Sequence, residues 1–227
     1  MKIVVYTSVV PVGFDKLGPA THFKEASYIC FTDIPEKIEH WELAKGFENW
    51  EIRKIEREFE DPGRDAKKVK ILCHKFVDAD YSIYMDANIM FGRSPTEALR
   101  FVDNNDLALH IHPLYKNIYV EGEVVLGRDK PNLVFDQLEK YKKEGFSGSL
   151  DGGIPMFAGG FIIRKHTKLV EEFNTNWWNE VVNHSKRDQL SLNYMIWKTG
   201  MKVTPIPWLS ICGPIYHHSI TGKSIGK

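Results

Sequence analysis

YSIYMDANIMF, residues 81–91, is the stretch on which the fold turns. Tyr81 to Met85 is a short apolar run of the kind that fills the middle of a parallel sheet. It ends on Asp86, passes through small Ala87 and the amide of Asn88, and returns to apolar Ile89-Met90-Phe91. Ligands of open α/β sheets bind beyond the carboxyl ends of the strands, where an acid in this position would stand. Two readings are open for it. Asp86 can cap the following turn, with Asn88 in a left-handed conformation; or Asp86 and Asn88, two positions apart on one side, can hold one hard divalent cation.

Outward from this strand the pattern alternates. Lys2 to Val9, Ala26 to Thr32 and the alternating residues 50–56 read as strands on one side of it, and Asp106 to Ile111, 156–164 and 201–208 on the other. Helical spacing begins near Arg64, at Ser94-Pro95 and at Pro131, and again over 166–182 and 185–200, with Gly145 and Gly200 as stops. This predicts a single α/β domain over residues 1–227, with a mostly parallel central sheet flanked by helices. Prolines in MKVTPIPW mark an edge strand.

The 227 residues carry 30 basic and 30 acidic side chains, so no global field favours nucleic acid or an anionic membrane. No apolar run is long enough to span a bilayer. MKIVVYTSVV reads as a first strand and not a signal peptide, which gives a cytoplasmic expectation, in the host for a viral protein. A monomer or weak oligomer is expected. Cys30, Cys73 and Cys212 are odd in number and sit among apolar neighbours, as reduced core thiols do.

Three further features bear on the site. Gly159 and Gly160 interrupt an apolar strand, which weakens it unless a ligand or another group must come close. HSKRDQLSLNY gathers Lys186, Arg187, Asp188, Gln189 and Asn193 at a helix start, where Ser185 and Asp188 also have capping-box spacing. His217 and His218 follow a Gly-Pro turn and are candidate metal ligands, or exposed tail residues. A second acidic pair, Asp78 and Asp80, precedes its strand and belongs at the opposite end of the sheet.

The order YTS, strand-Asp-x-Asn, FAGG, RDQLSLN and late His resembles glycosyltransferases of the GT-A fold, such as the glycogenin and bacterial galactosyltransferase family. The chain looks closer still to a glycosyltransferase-like family, once of unknown function, with plant mucilage-related, bacterial and viral members. Its shared stretches are RDAKKVKILCHKFVDADYSIYMDANI, HPLYKNIYVEGEVV, LEKYKKEGF and WWNEVVNHSKRDQLSLNY. The resemblance implies a UDP-sugar donor, a glycan or protein-linked glycan acceptor, and Mn²⁺ or Mg²⁺ held by Asp86 with His217 or His218 and helped by Asn88. Asn88 stands where the second acid of the usual motif would be, and the Gly pair replaces an Asn-Ala, so sugar contacts do not carry over there.

On the same resemblance, Tyr6, Thr7 and Ser8 meet uracil and ribose, and Ala87, Gly159 and Gly160 line the nucleotide sugar. Arg64 and Lys68 share a helix face and either grip phosphate or ribose or form plain charged surface. Asp188 and Gln189 stand at the reacting sugar. With retention of configuration, the glycogenin-like outcome, Gln189 lies beneath the anomeric carbon; with inversion, Asp188 is the general base. His112, Glu121 and Arg187 fall on the acceptor or sugar side. Trp177, Trp178 and Trp197 read as core. Two rival classes are a haloacid-dehalogenase-like phosphohydrolase with Asp86 as nucleophile and a nucleotide-sugar-binding module without catalysis.

Overall fold

The computed structural model describes residues 1–18, 23–41, 50–127, 129–150 and 156–207, and the backbone of Cys212–Pro214; the side chains of residues 90, 91 and 212–214 are outside the description. Its first elements are β1 (Ile3–Val9), β2 (Ser27–Thr32), β3 (Trp50–Lys54), α1 (Pro62–Ile71), β4 (Tyr81–Met85), β5 (Ile89–Phe91) and the short α2 (Pro95–Ala98). Then follow β6 (Leu107–Ile111), α3 (Ile118–Val125), α4 (Pro131–Lys143), β7 (Phe157–Lys165), α5 (Lys168–Asn183), α6 (Asp188–Thr199), β8 (Val203–Ile206) and β9 (Cys212–Pro214).

Seven strands form one sheet in the order β3-β2-β1-β4-β7-β6-β8. All run parallel except β7, which is antiparallel to both β4 and β6. The expected α/β architecture with a mostly parallel sheet is therefore the observed one, and proline-bearing β8 is at an edge. Alternation along β1 sends Val4 and Tyr6 into one core and Val5 and Val9 into another, so apolar side chains cover both faces of the sheet. Central strands buried on both faces need the near-continuous apolar runs that β1 and β4 carry.

Local signals set the helix ends. Asp61 caps α1 by accepting from the Gly63 amide at 2.9 Å, with Pro62 in the first turn. Thr167 caps α5, and Gly200 closes α6 at φ 68°, where a side chain would be strained. The capping box expected at Ser185 is absent. Asp188 lies inside α6, and the Ser185 hydroxyl donates to Asp129 instead.

Two features were not foreseen. The stretch after β6 turns helical as α3, with Asn117 as its cap, which buries Glu121. A small second sheet pairs β5 with β9, setting Ile89 opposite Pro214. Backbone near the C-terminus thus runs beside the turn that carries Asp86 and Asn88.

Candidate active site

The parallel strands β1 and β4 end at a cleft of about 440 Å³, walled by the end of β1, the start of α1, the Asp86-Ala87-Asn88 turn and Lys186-Arg187. Asp86 is 40% exposed, so its carboxylate is held by the scaffold yet open to a ligand. One oxygen, Oδ1, accepts from the Tyr84 hydroxyl at 2.8 Å. Burial and the Asp86 charge hold the Tyr84 phenol well above its usual pKa, so it remains a donor. The Asp86 amide donates to the Gly160 carbonyl at 2.9 Å.

The Gly pair has a geometric cause. Between Leu109 and His110 the pairing of β6 with β7 shifts, and Gly159 and Gly160 fall in the irregular segment. A Cβ on Gly160 would lie 2.9 Å from Asp86 Oδ2, and one on Gly159 would lie 3.0 Å from Lys70 Nζ and 3.2 Å from Asp188 Oδ2. Both glycines leave room for charged groups and not for their own conformation.

Behind this wall lies a buried ion cluster. Lys70 Nζ is 2.5 Å from Asp188 Oδ2 and 4.0 Å from Asp86 Oδ1, and Lys67 Nζ is 3.1 Å from Asp188 Oδ1. Asp188 and Lys70 are buried, whereas Lys67 is 26% exposed and reaches the cleft. Burial raises the Asp188 pKa, but Lys67 and Lys70 outweigh it and hold the carboxyl well below its usual range. Burial lowers both lysines; the Asp188 and Asp86 charges more than offset this for Lys67, whereas Lys70, more deeply enclosed and facing Lys67, stays below its usual value.

Gln189 spans the next gap, donating from Nε2 to Glu121 Oε1 at 2.8 Å and accepting from the Gly159 amide at 3.4 Å. Glu121 is buried, its Oε2 has no hydrogen-bond partner among the described residues, and burial raises its pKa. Asn193 accepts from the Phe157 amide and donates to its carbonyl, so α6 grips β7 just before the Gly pair. Trp177 donates to the Asp188 carbonyl at 3.0 Å and fixes the start of α6 from the core.

A family model of the TOD1/MUCI70 glycosyltransferase-like domain matches residues 32–208. The chain belongs to the TOD1/MUCI70 glycosyltransferase-like family. A probable hexosyltransferase, MUCI70 of Arabidopsis thaliana, is 30% identical over 145 residues, which is 60% of this chain and 25% of that protein. The chain thus spans about a quarter of the length of that relative. Among solved structures it is similar to apo WbbM, described as a bifunctional glycosyltransferase, with a TM-score of 0.47 and 13% identity over 92% of this chain and 39% of that one.

Within the TOD1/MUCI70 span, the structure brings Asp86, Gly159, Gly160, Asp188, Gln189 and Glu121 together, with Ala87, Asn88 and Arg187 on the cleft wall. Other expected residues have different surroundings. Tyr6 and Thr7 are fully buried because β1 is central and covered on both faces; only Ser8 reaches the cleft, its hydroxyl on the Ala66 carbonyl. Arg64 donates to the Val181 and His184 carbonyls at the end of α5, and Lys68 pairs with Glu58, so neither lines the cleft. His112 also stands apart from the cleft lining; its Nδ1 accepts from the Leu114 and Tyr115 amides and shapes a turn. Asp78 and Asp80 bind Lys2 at the far end of the sheet, as expected. His217 and His218 lie outside the described residues, a few positions beyond β9.

Sequence reasoning passed over Lys70. Its signal was present: Ala66, Val69, Lys70 and Cys73 fall on one helical stripe, and a lysine on an otherwise apolar stripe needs a buried partner. Asp15, another acid on the cleft wall, has its pKa raised by burial and by the Asp86 charge. Phe14, 82% exposed, stands at the rim.

Proposed function

We propose that this TOD1/MUCI70 chain transfers a hexose from a UDP-sugar to a glycan or protein-linked glycan acceptor, with retention of configuration and with Mn²⁺ or Mg²⁺ at Asp86. The observation that carries the reading is the half-exposed Asp86 carboxylate at the strand end, with room left for it by Gly160. Its oxygen, with the amide oxygen of Asn88, is the donor chemistry that hard divalent cations take. The cradle that a Cβ at residue 160 would fill supports the fit. A bound cation would supply charge neutralisation for the departing diphosphate. His217 or His218 is proposed as a further ligand, in keeping with the β5–β9 pairing that brings nearby backbone to this turn.

The chain's own residues divide the remaining work. Tyr84 orients Asp86. Lys67, turned to the cleft, is proposed to meet a phosphate oxygen, while Asp188 keeps it charged and in place. Ser8 and exposed Phe14 offer a hydroxyl and a ring to the nucleoside. Gln189, held by Glu121, presents its amide dipole beside the Gly pair, where positive charge on the sugar would be stabilised. A carboxylate held as low as Asp188 is a poor general base at neutral pH. That favours retention, in which the leaving phosphate takes the acceptor proton.

The test is a thermal-shift panel of UDP, GDP, CMP and their sugars with and without Mn²⁺, since binding to the folded state alone raises Tm. UDP and its sugars with Mn²⁺ are expected to give the largest shift. No metal-dependent shift with any nucleotide would sink the reading, and a UDP shift without turnover in any acceptor screen would reduce it to a binding module.

A further inference from the structure

A second charged cluster lies at the opposite end of the sheet, where β4 begins and β7 ends, and the proposed transfer reaction makes no use of it. Arg164 is fully buried. Its Nη1 donates to the Tyr6 hydroxyl at 2.9 Å, while Nε and Nη2 have no hydrogen-bond partner among the described residues. Tyr6 in turn donates to the Lys70 carbonyl at 2.9 Å, so its phenol keeps its proton and brings no negative charge. An unpaired guanidinium in such a place is strongly destabilising, so a buried charge of this kind is retained with a partner of opposite sign.

The nearby acid is Cys73, buried in the single turn after α1; Ser82, the cross-strand partner of Arg164 on β4, points its hydroxyl at the Cys73 sulfur. The Ser82 hydroxyl donates to its sulfur at 3.7 Å and the Asn174 amide at 3.8 Å. His166 Nε2 faces the sulfur at 3.8 Å and the Ser82 oxygen at 2.9 Å. A neutral thiol is a weak acceptor, whereas a thiolate suits donors converging from three elements.

We propose that Cys73 is a thiolate at neutral pH, the counter-ion of Arg164, and that the pair is an acid-sensitive lock joining the end of α1 to β1 and β7. Electrostatics agree. Burial resists ionisation of the thiol, and Arg164, His166 and His74 outweigh it, holding Cys73 well below the usual thiol range. The groups around the sulfur are thus Tyr6 on β1, His74 on its own turn, Ser82 on β4, Arg164 and His166 at the end of β7, and Asn174 on α5. The sign follows: a depressed folded pKa gives stability that is complete above the unfolded thiol value, about 8.5, and is lost as pH falls through the folded value.

The test uses a Cys30→Ser/Cys212→Ser protein, in which Cys73 is the remaining thiol. Its ultraviolet thiolate band should be present at pH 7 and vanish only in acid. Adding Arg164→Met should move the midpoint up by at least about one pH unit. A band that first rises near pH 8.5, the ordinary thiol value, overturns the proposal, and so does a midpoint that Arg164→Met leaves in place. Should Arg164→Met fail to fold, Ser82→Ala removes one donor to the sulfur and must also raise the midpoint; an unmoved midpoint there is equally fatal.

Discussion

Helix α1 carries two pairs of cations, and the two meet different fates. Arg64 and Lys68 project outward, to the carbonyls at the end of α5 and to exposed Glu58. Lys67 and Lys70 project inward, to buried Asp188, and Lys70 comes to within 4.0 Å of Asp86. The two pairs are made of nearly the same chemistry and interleave between residues 64 and 70. What separates them is the burial of the partner, since Lys67 and Lys68 are about equally exposed. A cation paired with exposed Glu58 gains little because water screens the pair, whereas removing a lysine from buried Asp188 leaves that charge in a dry interior. The inner pair therefore belongs with the cleft, and the outer pair with the scaffold.

Removing Lys70 tests this contrast at its strongest point. Lys70→Met should cost about 3 to 5 kcal/mol, because Asp188 then keeps only Lys67 while Gly159 still holds space for the missing ammonium. Urea unfolding of the purified variant checks it. A loss under about 1 kcal/mol would place Lys70 with surface cations and erase the difference between the two faces.

The acid limb of stability sharpens the same comparison from the carboxylate side. Asp188 has a folded pKa held below its unfolded value, so its contribution is complete above about pH 4 and is lost as pH falls through the folded value. Stability below about pH 4 should fall less steeply in Asp188→Asn than in the wild type. Equal slopes in chemical denaturation at several pH values would mean that the inner lysines do not hold this carboxylate down.

How much of this could be read from the chain differs between elements. The apolar runs of β1 and β4 show as strands because central parallel strands have no polar face to disguise them. Asp86 and the Gly pair, which the structure sets against each other, were legible because both break an apolar run without local need. Arg64 and Lys68 stayed open between a ligand grip and plain charged surface because helical spacing tells which residues share a face, but not which way that face turns. Tyr6 and Thr7 were hard to place for a related reason: they end an apolar run by type, yet the strand stays covered through Thr7 and opens to the cleft only at Ser8. The burial of Glu121 depended on α3, whose stretch reads by composition as a continuation after a strand. Arg164 and Cys73 come into one cluster only in three dimensions, through Ser82 of β4, so no local pattern announces them.

Adding one carbon at each glycine probes the inner face with a smaller perturbation. Gly159→Ala presses on Lys70 and Asp188, both buried and held, and should cost about 1 to 3 kcal/mol. Gly160→Ala presses on Asp86, which is partly exposed and can tilt, so its stability loss should be smaller while the proposed Mn²⁺ binding, read by calorimetry without nucleotide, should weaken. The reverse ranking of stabilities would show that the ion cluster is slack and that Asp86 is the rigid member.

The smallest effect is expected on the outer face. Lys68→Met removes a cation 22% exposed from Glu58, which is 58% exposed, and should change stability by no more than about 1 kcal/mol, with the difference shrinking further in high salt. Nucleotide binding should be unchanged, since Lys68 does not line the cleft. The pair of measurements matters more than either alone. If Lys68→Met preserves stability but removes the UDP-dependent rise in Tm, the outer face takes part in binding after all, through a rearrangement of α1 that exchanges its two faces, and the division between site and scaffold fails at the residue where it is most exposed to test.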